Sequence, residues 1–260
     1  MVQAIKTADQ IEQMRRAGRV VHDVLARLAE MSQPGVTTAD LDAEADRMLV
    51  AAGADGLFKN YPNHRAGGRP FPGFICASIN EQVVHGIPGP RAIREGDVVS
   101  LDFGARLNGW CGDSALTVMV GQVDPRAARL VEVTRQALQV AVEAVQPGRY
   151  WSQIAKAIQR HVEQAGCSVV VDYVGHSIGQ EMHEGLKLPN FWSRQWSNED
   201  FRLAEGMTLA IEPMVNLGRP EVETGDDDWV VVTVDRQPSA HFEHTVAVRA
   251  QGADVLTDGR

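Results

Sequence analysis

Asp102 and Asp113 stand eleven positions apart in a stretch, Val98 to Asp113, that reads as a β-hairpin carrying two acids. Asn108-Gly109 lies between two apolar-rich runs, and that dipeptide is a strong signal for a two-residue turn because both central residues take positive φ. With Leu107 opposite Trp110, the register sets Asp102 opposite Ala115 and Asp113 opposite Gly104. The two acids then share one face as diagonal neighbours, with β-carbons about 7 Å apart or slightly less, and Ala115 leaves the space beside them unfilled. Ionised carboxylates so placed repel one another and are costly to desolvate unless one holds a proton or a cation lies between them. Either the hairpin is an edge with solvated acids, or the pair belongs to a divalent-metal site, which needs further ligands.

More groups of the right kind lie downstream. Glu212 and Glu243 sit in β-rich runs, Thr208 to Glu212 and Phe242 to Val248, while His176 and His183 flank Ser177 to Met182 and His85 lies in Val83 to Pro88. Taken singly, a histidine after a strand can be an ordinary satisfied polar residue, and Glu243 can pair with a cation. As a set they are metal- and proton-handling groups that need a fold to gather them.

The elements that position them follow a repeated grammar. Thr7-Ala8-Asp9-Gln10 has the form of a capping box, opening a helix with Ile11, Met14, Val21, Leu25 and Leu28 at helical spacing that Pro34-Gly35 stops. A second helix follows Thr38, buries Leu41, Ala45, Met48 and Leu49, and ends near Gly53. Asp124-Pro125 opens a third, ending at Pro147-Gly148, and Ser152 a fourth, closing near Gly166. Gln33-Pro34-Gly35 recurs as Gln146-Pro147-Gly148 and Ala52-Gly53 as Ala165-Gly166, both at an offset of 113 positions. Strand-like sequence follows each helix pair: Phe74 to Ile79 and the hairpin first, then Ser168 to Val174, Thr208 to Glu212, Trp229 to Val234 and Phe242 to Val248. The pattern predicts two duplicated ααβ halves whose sheets meet, so that a site between them draws ligands from both. Gly218 to Asp228 and Asn63 to Gly73 read as irregular connections, and no linker is long enough to separate independent domains.

The chain has 260 residues, 44% of them hydrophobic, enough to fill a real core. A net charge of −9 with no basic run argues against an extended nucleic-acid or anionic-membrane surface. Three cysteines, Cys76, Cys111 and Cys167, are odd in number and lack a C-x-x-C spacing, which suits a reducing compartment. Met1 to Lys6 lacks a leader pattern and no window approaches about 18 apolar residues. A soluble, cytoplasmic protein is expected.

The ordered set resembles the type I methionine aminopeptidases: Asp102 and Asp113, His176 followed seven positions later by His183, Gly206-Met207-Thr208-Leu209-Ala210-Ile211-Glu212-Pro213, and Ser239-Ala240-His241-Phe242-Glu243-His244-Thr245. Ser78-Ile79-Asn80-Glu81 and Val84-His85-Gly86-Ile87-Pro88 are similar to that family as well. The resemblance implies an α+β pita-bread fold, a curved, mainly antiparallel sheet covered by helices in two pseudo-symmetric halves. One catalytic domain over residues 1–260 is expected, with halves of about 7–120 and 121–250. It implies two divalent ions, with Asp102 on one, His176 and Glu212 on the other, and Asp113 and Glu243 on both, so that four carboxylates offset two cations. Oxygen ligands with one imidazole suit Co²⁺, Mn²⁺, Fe²⁺ or Zn²⁺ alike. By the same resemblance Glu212 shuttles the proton, and His85 and His183 donate hydrogen bonds to the peptide and its tetrahedral intermediate.

The implied activity is removal of an N-terminal methionine from peptides and nascent chains with a small second residue, at the ribosome, by a monomer that needs no membrane. Phe58, Tyr61, Cys76, Met182 and Trp229, with His85 and His183, are expected to line the substrate pocket, where a thioether packs well against aromatic and sulfur groups. The chain departs from the family pattern at Met182, where an aromatic is usual, at Gly185-Leu186, where an acid and proline are usual, and at His241-Phe242, where Gln-Tyr is usual. It is also longer between Tyr61-Pro62 and Cys76, where Arg65 and Arg69 either are solvated or face a carboxylate of the peptide. The alternatives are a proline-directed peptidase of the same fold and a non-catalytic protein using its surface for binding.

Overall fold

The computed structural model describes residues 5–63, 65 and 67–260. Residues 64 and 66 of the expected excursion, and residues 1–4 of the segment scanned for a leader, lie outside them.

Local sequence sets the ends of the helices. Helix α1 (Ala8–Met31) opens on the capping box of Thr7 and Gln10. Helix α2 (Thr38–Ala52) is capped by Thr37 with Asp40, one residue earlier than the sequence suggests, because the Thr38 hydroxyl is engaged by Gly89, donating to its carbonyl (3.1 Å) and accepting from its N–H (2.9 Å). Asp124 caps α3 (Pro125–Ala144), with proline in the first turn where a missing N–H costs nothing. Helix α4 (Trp151–Gln164) begins before Ser152, the expected opening residue: Gln153 reaches back to the Tyr150 N–H (3.0 Å), and Asp200, from outside the helix, accepts from the Ser152 N–H (2.9 Å). The recurring glycines serve equivalent turns. Gly35 (φ 96°) and Gly148 (φ 86°) follow the α1 and α3 ends, and Gly53 (φ 63°) and Gly166 (φ 76°) those of α2 and α4.

Between the helix pairs run β1 (Asp55–Gly56), β2 (Cys76–Ile79), β3 (Gln82–Val84), β4 (Val98–Leu107) and β5 (Trp110–Met119). After α4 come β6 (Ser168–Val169), β7 (Gly175–Ser177), β8 (Lys187–Leu188), β9 (Thr208–Ile211) and β10 (Met214–Asn216). The chain ends with β11 (Val222–Thr224), β12 (Val231–Thr233), β13 (Ser239–His241), β14 (Glu243–Arg249) and β15 (Gly252–Val255). Nine of these form one curved antiparallel sheet with the path β1-β4-β5-β14-β9-β7-β8, β2 adding to β4 and β15 to β14. Two three-stranded sheets, β13-β10-β6 and β11-β12-β3, complete the strands. The segment Gly218 to Asp228 is therefore not wholly irregular: Val222–Thr224 pairs with β12.

The hairpin has the register its turn predicts, with Leu107 opposite Trp110, Asp102 opposite Ala115 and Gly104 opposite Asp113, and with Asn108 (φ 51°) and Gly109 (φ 81°) both left-handed. Strand alternation then divides the sheet into an apolar and a polar face. Leu101 and Phe103 of β4 pack with α1 and α2 residues such as Leu28 and Leu41, while Leu209 and Ile211 of β9 and Val246 and Val248 of β14 pack with α3 and α4. Asp102, Asp113, Glu243 and Glu212, on the alternate positions, face away from all four helices.

Candidate active site

Ala115 is the centre of the polar face. It pairs with Asp102 across β4 and with Glu243 across β14, so a methyl group lies between two carboxylates and leaves a cavity in front of itself. Asp113 joins them from β5, opposite Gly104, where an added Cβ would come within 3.1 Å of Asp113 Oδ1. His176 on β7 pairs with Ala210 of β9, which aims it at the same face as Glu212, two residues beyond Ala210. Its Nε2 lies 3.7 Å from Glu212 Oε1 and 4.0 Å from Asp113 Oδ2. One ligand atom each from Asp113, His176 and Glu243 falls within a mutual 4.8 Å, a spacing that can hold a metal ion.

The halves meet here through few ladder bonds, β5 and β14 pairing only at Ala115–Glu243 and Ser114–His244. Hydroxyl groups make up the joint. Ser114 Oγ donates to the Glu243 carbonyl (2.6 Å), and Thr245 Oγ1 donates to the Asp113 carbonyl (2.8 Å) and accepts from its N–H (3.0 Å). These bonds lock the two acids by their backbones and leave the carboxylates uncommitted.

The electrostatics demand a cation. Burial pushes Asp102, Glu212 and Glu243 well above the usual carboxylate range, with Asp113's charge adding to it, and burial raises Asp113 to about 7. Among the described residues the ion-pair partners of these four acids are histidines only, and burial holds His176 neutral with a pKa of about 3. Asp102 Oδ1, Asp113 Oδ1 and Glu243 Oε1 are buried without a hydrogen-bond partner, which a protein of ordinary stability does not leave uncompensated. Unsatisfied acceptor oxygens and a neutral imidazole whose Nδ1 lies 3.3 Å from the Ser177 carbonyl converge on one space and fit divalent metal. Protons and metal then compete for the same oxygens. Because Asp113 takes up its proton as pH falls through about 7, Mn²⁺ affinity is expected to fall from pH 8 to pH 6, with more protons released per ion bound at the lower pH. Calorimetry in buffers of different ionisation heat reads both quantities, and affinity independent of pH would contradict the account.

The residues read from the sequence as metal ligands, catalysts and pocket walls all line one cavity of about 370 Å³: Asp102, Asp113, His176, Glu212, Glu243, His85, His183, Phe58, Tyr61, Cys76, Met182 and Trp229. The last five form the apolar end together with Phe71, which the sequence reading did not include and which meets Trp229 edge-on at 5.2 Å. His183 approaches His176 (ring centroids 4.2 Å), and its Nδ1 lies 2.9 Å from the Tyr61 hydroxyl. His85 holds a left-handed backbone (φ 59°), an uncommon state for a residue with a Cβ and one that clusters at functional sites. The edges of Tyr173 and Trp229 surround its ring, and burial lowers its pKa to about 4.

The longer segment after Tyr61 forms part of the rim. Arg69's carbonyl accepts from Trp229 Nε1 (2.8 Å), and Arg65 pairs with Asp228 (2.9 Å), so its guanidinium is held by the protein itself. His241 is another wall residue that the sequence reading left outside the site, as are Val84, Tyr173 and Met214. It occupies an alternate strand position two before Glu243, which is the signal that could have placed it.

Comparison with known proteins agrees with this geometry. Residues 12–250 match metallopeptidase family M24. Methionine aminopeptidase 1 of Bacillus subtilis is 44% identical over 252 residues, covering 97% of this chain and 98% of that protein. The methionine aminopeptidase of Clostridium acetobutylicum is 44% identical over 254 residues, with 97% and 98% covered. The crystal structure of methionine aminopeptidase from Thermotoga maritima aligns with a TM-score of 0.91 at 39% identity, covering 98% of this chain and 99% of that one. A prolidase from Pyrococcus furiosus, at 21% identity and a TM-score of 0.76 over 99% of this chain and 66% of its own, shares the fold. The chain belongs to metallopeptidase family M24 and, within it, to the methionine aminopeptidases. It is a hydrolase that works with divalent metal, and the pita-bread fold expected from the sequence is the fold observed. Among the described residues no helix is long and apolar enough to cross a membrane.

Proposed function

We propose that the chain removes methionine from the N-terminus of peptides and nascent proteins whose second residue is small. The observation that carries this is the junction of two environments in one cavity. Unsatisfied carboxylate oxygens at its floor adjoin an apolar end built from Phe58, Tyr61, Phe71, Cys76, Met182 and Trp229. A methionine side chain suits that end, since a thioether is polarizable and packs favourably against ring edges and sulfur.

Asp102 would hold one divalent ion, His176 and Glu212 the other, and Asp113 and Glu243 would be shared. When bound, the pair lowers the pKa of water and polarises the scissile carbonyl. Glu212 is the residue to carry the proton: its carboxylate lies in the cavity between His176 (3.7 Å) and His241 (3.8 Å), where it can accept a proton from water and deliver it to the leaving amine. The Tyr61 hydroxyl, held protonated by burial, lies 2.9 Å from His183 Nδ1 and can donate to it, an arrangement that would leave the N–H of that ring on Nε2. In that tautomer His183 presents a donor to the oxygen on which negative charge develops, and His85, in the same cavity, is read as a second.

We read residues 1–260 as one catalytic domain with halves of about 7–120 and 121–250. The ends of α1 and α3 and the starts of α2 and α4, each 113 positions apart, and the equivalent turns at Gly35 and Gly148 support this. The reading includes a monomer acting in the cytoplasm on chains emerging from the ribosome, and three free, buried cysteines suit a reducing milieu. Release of the first residue from Met-Ala, Met-Gly, Leu-Ala and Ala-Pro peptides with added Mn²⁺ or Co²⁺ is the test. Turnover of the two methionine peptides alone is expected. Preference for Ala-Pro would replace this reading with a proline-directed peptidase, and metal binding without turnover would replace it with a binding protein.

A further inference from the structure

His241 is almost fully buried, 2% exposed, and its Nε2 has no hydrogen-bond partner. That atom lies 3.8 Å from Glu212 Oε2, while Glu212 Oε1 faces His176 at 3.7 Å. The two oxygens of one carboxylate are therefore addressed by two different imidazoles. The backbone of His241 is clamped on both sides: Thr117 Oγ1 donates to its carbonyl (2.7 Å) and accepts from its N–H (3.0 Å), and β13 pairs His241 with Met214, just past Glu212-Pro213. The ring thus has a fixed origin, and a small rotation of the Glu212 carboxylate closes the gap to a hydrogen bond of roughly 2.7–3.2 Å.

We propose that His241 is a positioning residue that donates from Nε2 to Glu212 Oε2, fixing the rotation of that carboxylate so that Oε1 is presented beside His176. The inference rests on Glu212 being the proton carrier proposed above. It adds a requirement of this chain: one N–H at the position of His241 Nε2. An unheld carboxylate turns about its last bond, spoiling both its aim for proton transfer and its share of metal binding, and losing such an outer partner typically costs 10–100-fold in affinity or activity.

The test compares His241→Leu, which fills similar space without a donor, with His241→Gln, whose amide N–H has a similar reach. Mn²⁺ affinity is measured by calorimetry, and kcat and KM on a Met-Ala peptide. For His241→Leu, kcat is expected to fall about 10–100-fold with KM within about threefold, and Mn²⁺ affinity to fall about tenfold or more; His241→Gln should stay within about threefold of wild type on both measures. The affinity measurement reads the hold on Glu212 even if the methionine-removal reading fails. A folded His241→Leu protein with wild-type affinity and kcat would overturn the proposal, as would a Gln variant impaired as far as the Leu variant, which would mark a packing role. Should His241→Leu not fold, His241→Asn, whose amide is too short, takes its place: loss like that expected for Leu supports the proposal, and equality with Gln overturns it.

Discussion

Asp113→Ala is expected to abolish metal binding and turnover together while leaving the fold intact. Asp113 lies within metal-holding distance of both His176 and Glu243, and in the proposed arrangement it is shared by both ions, so its loss removes a ligand from each. Activation of water by metal can lower its pKa from 15.7 to about 7, and losing that entirely should cost at least about a thousandfold in kcat. The metal-free proteins give the control. Burial raises the Asp113 pKa to about 7 in the folded state, against roughly 3.9 when exposed. The unfolded chain therefore releases this proton at lower pH, and the buried group becomes increasingly destabilising between about pH 4 and 7. Removing it relieves repulsion, so metal-free Asp113→Ala at pH 8 should melt no lower than metal-free wild type. Metal content by atomic emission, turnover and melting on one preparation decide the matter, and a variant that keeps both ions and a tenth of its rate would show that Asp113 is not a ligand.

His183→Ala separates a catalytic role from a ligand role. His183 is a neighbour of His176 and is held by Tyr61. As a donor to the developing oxyanion, its removal should lower kcat by roughly 10²- to 10³-fold with metal content unchanged. Loss of an ion would move His183 into the coordination sphere, and an unchanged rate would remove it from the mechanism.

How much of this was legible in the sequence follows from which interactions are local. Asn108-Gly109 determined the hairpin register, and with it the opposition of Asp102 to Ala115, because both central residues of that turn take positive φ. Thr7 with Gln10 and Asp124 with Pro125 placed the starts of α1 and α3 for the same local reason. The starts of α2 and α4 were misplaced, by one and two residues, because distant groups decide them: Gly89 occupies the Thr38 hydroxyl, and Asp200 serves the Ser152 N–H. Likewise, β11 escaped notice inside a Gly- and Asp-rich run, since its partner β12 supplies the pairing.

The candidate site divides along the same line. The acids were legible through strand alternation and their gathering through the family resemblance. The contact of His241 with Glu212 depends on β13 lying beside β10, and the Arg65–Asp228 rim pair spans 163 positions; neither has a local signature. Phe71 was hidden within a segment rich in Gly, Pro and Arg that reads as a solvent-exposed excursion, yet it is only 2% exposed.

The central claim is that methionine release runs on divalent metal held by Asp102, Asp113, His176, Glu212 and Glu243. The direct measurement is the rate of methionine release from a Met-Ala peptide by exhaustively chelated protein as Mn²⁺ is titrated back, with binding followed on the same sample. No turnover before addition, and a rate that climbs with occupancy of the site and is lost again on chelation, is the predicted result. Full turnover by protein shown to be free of metal would contradict it.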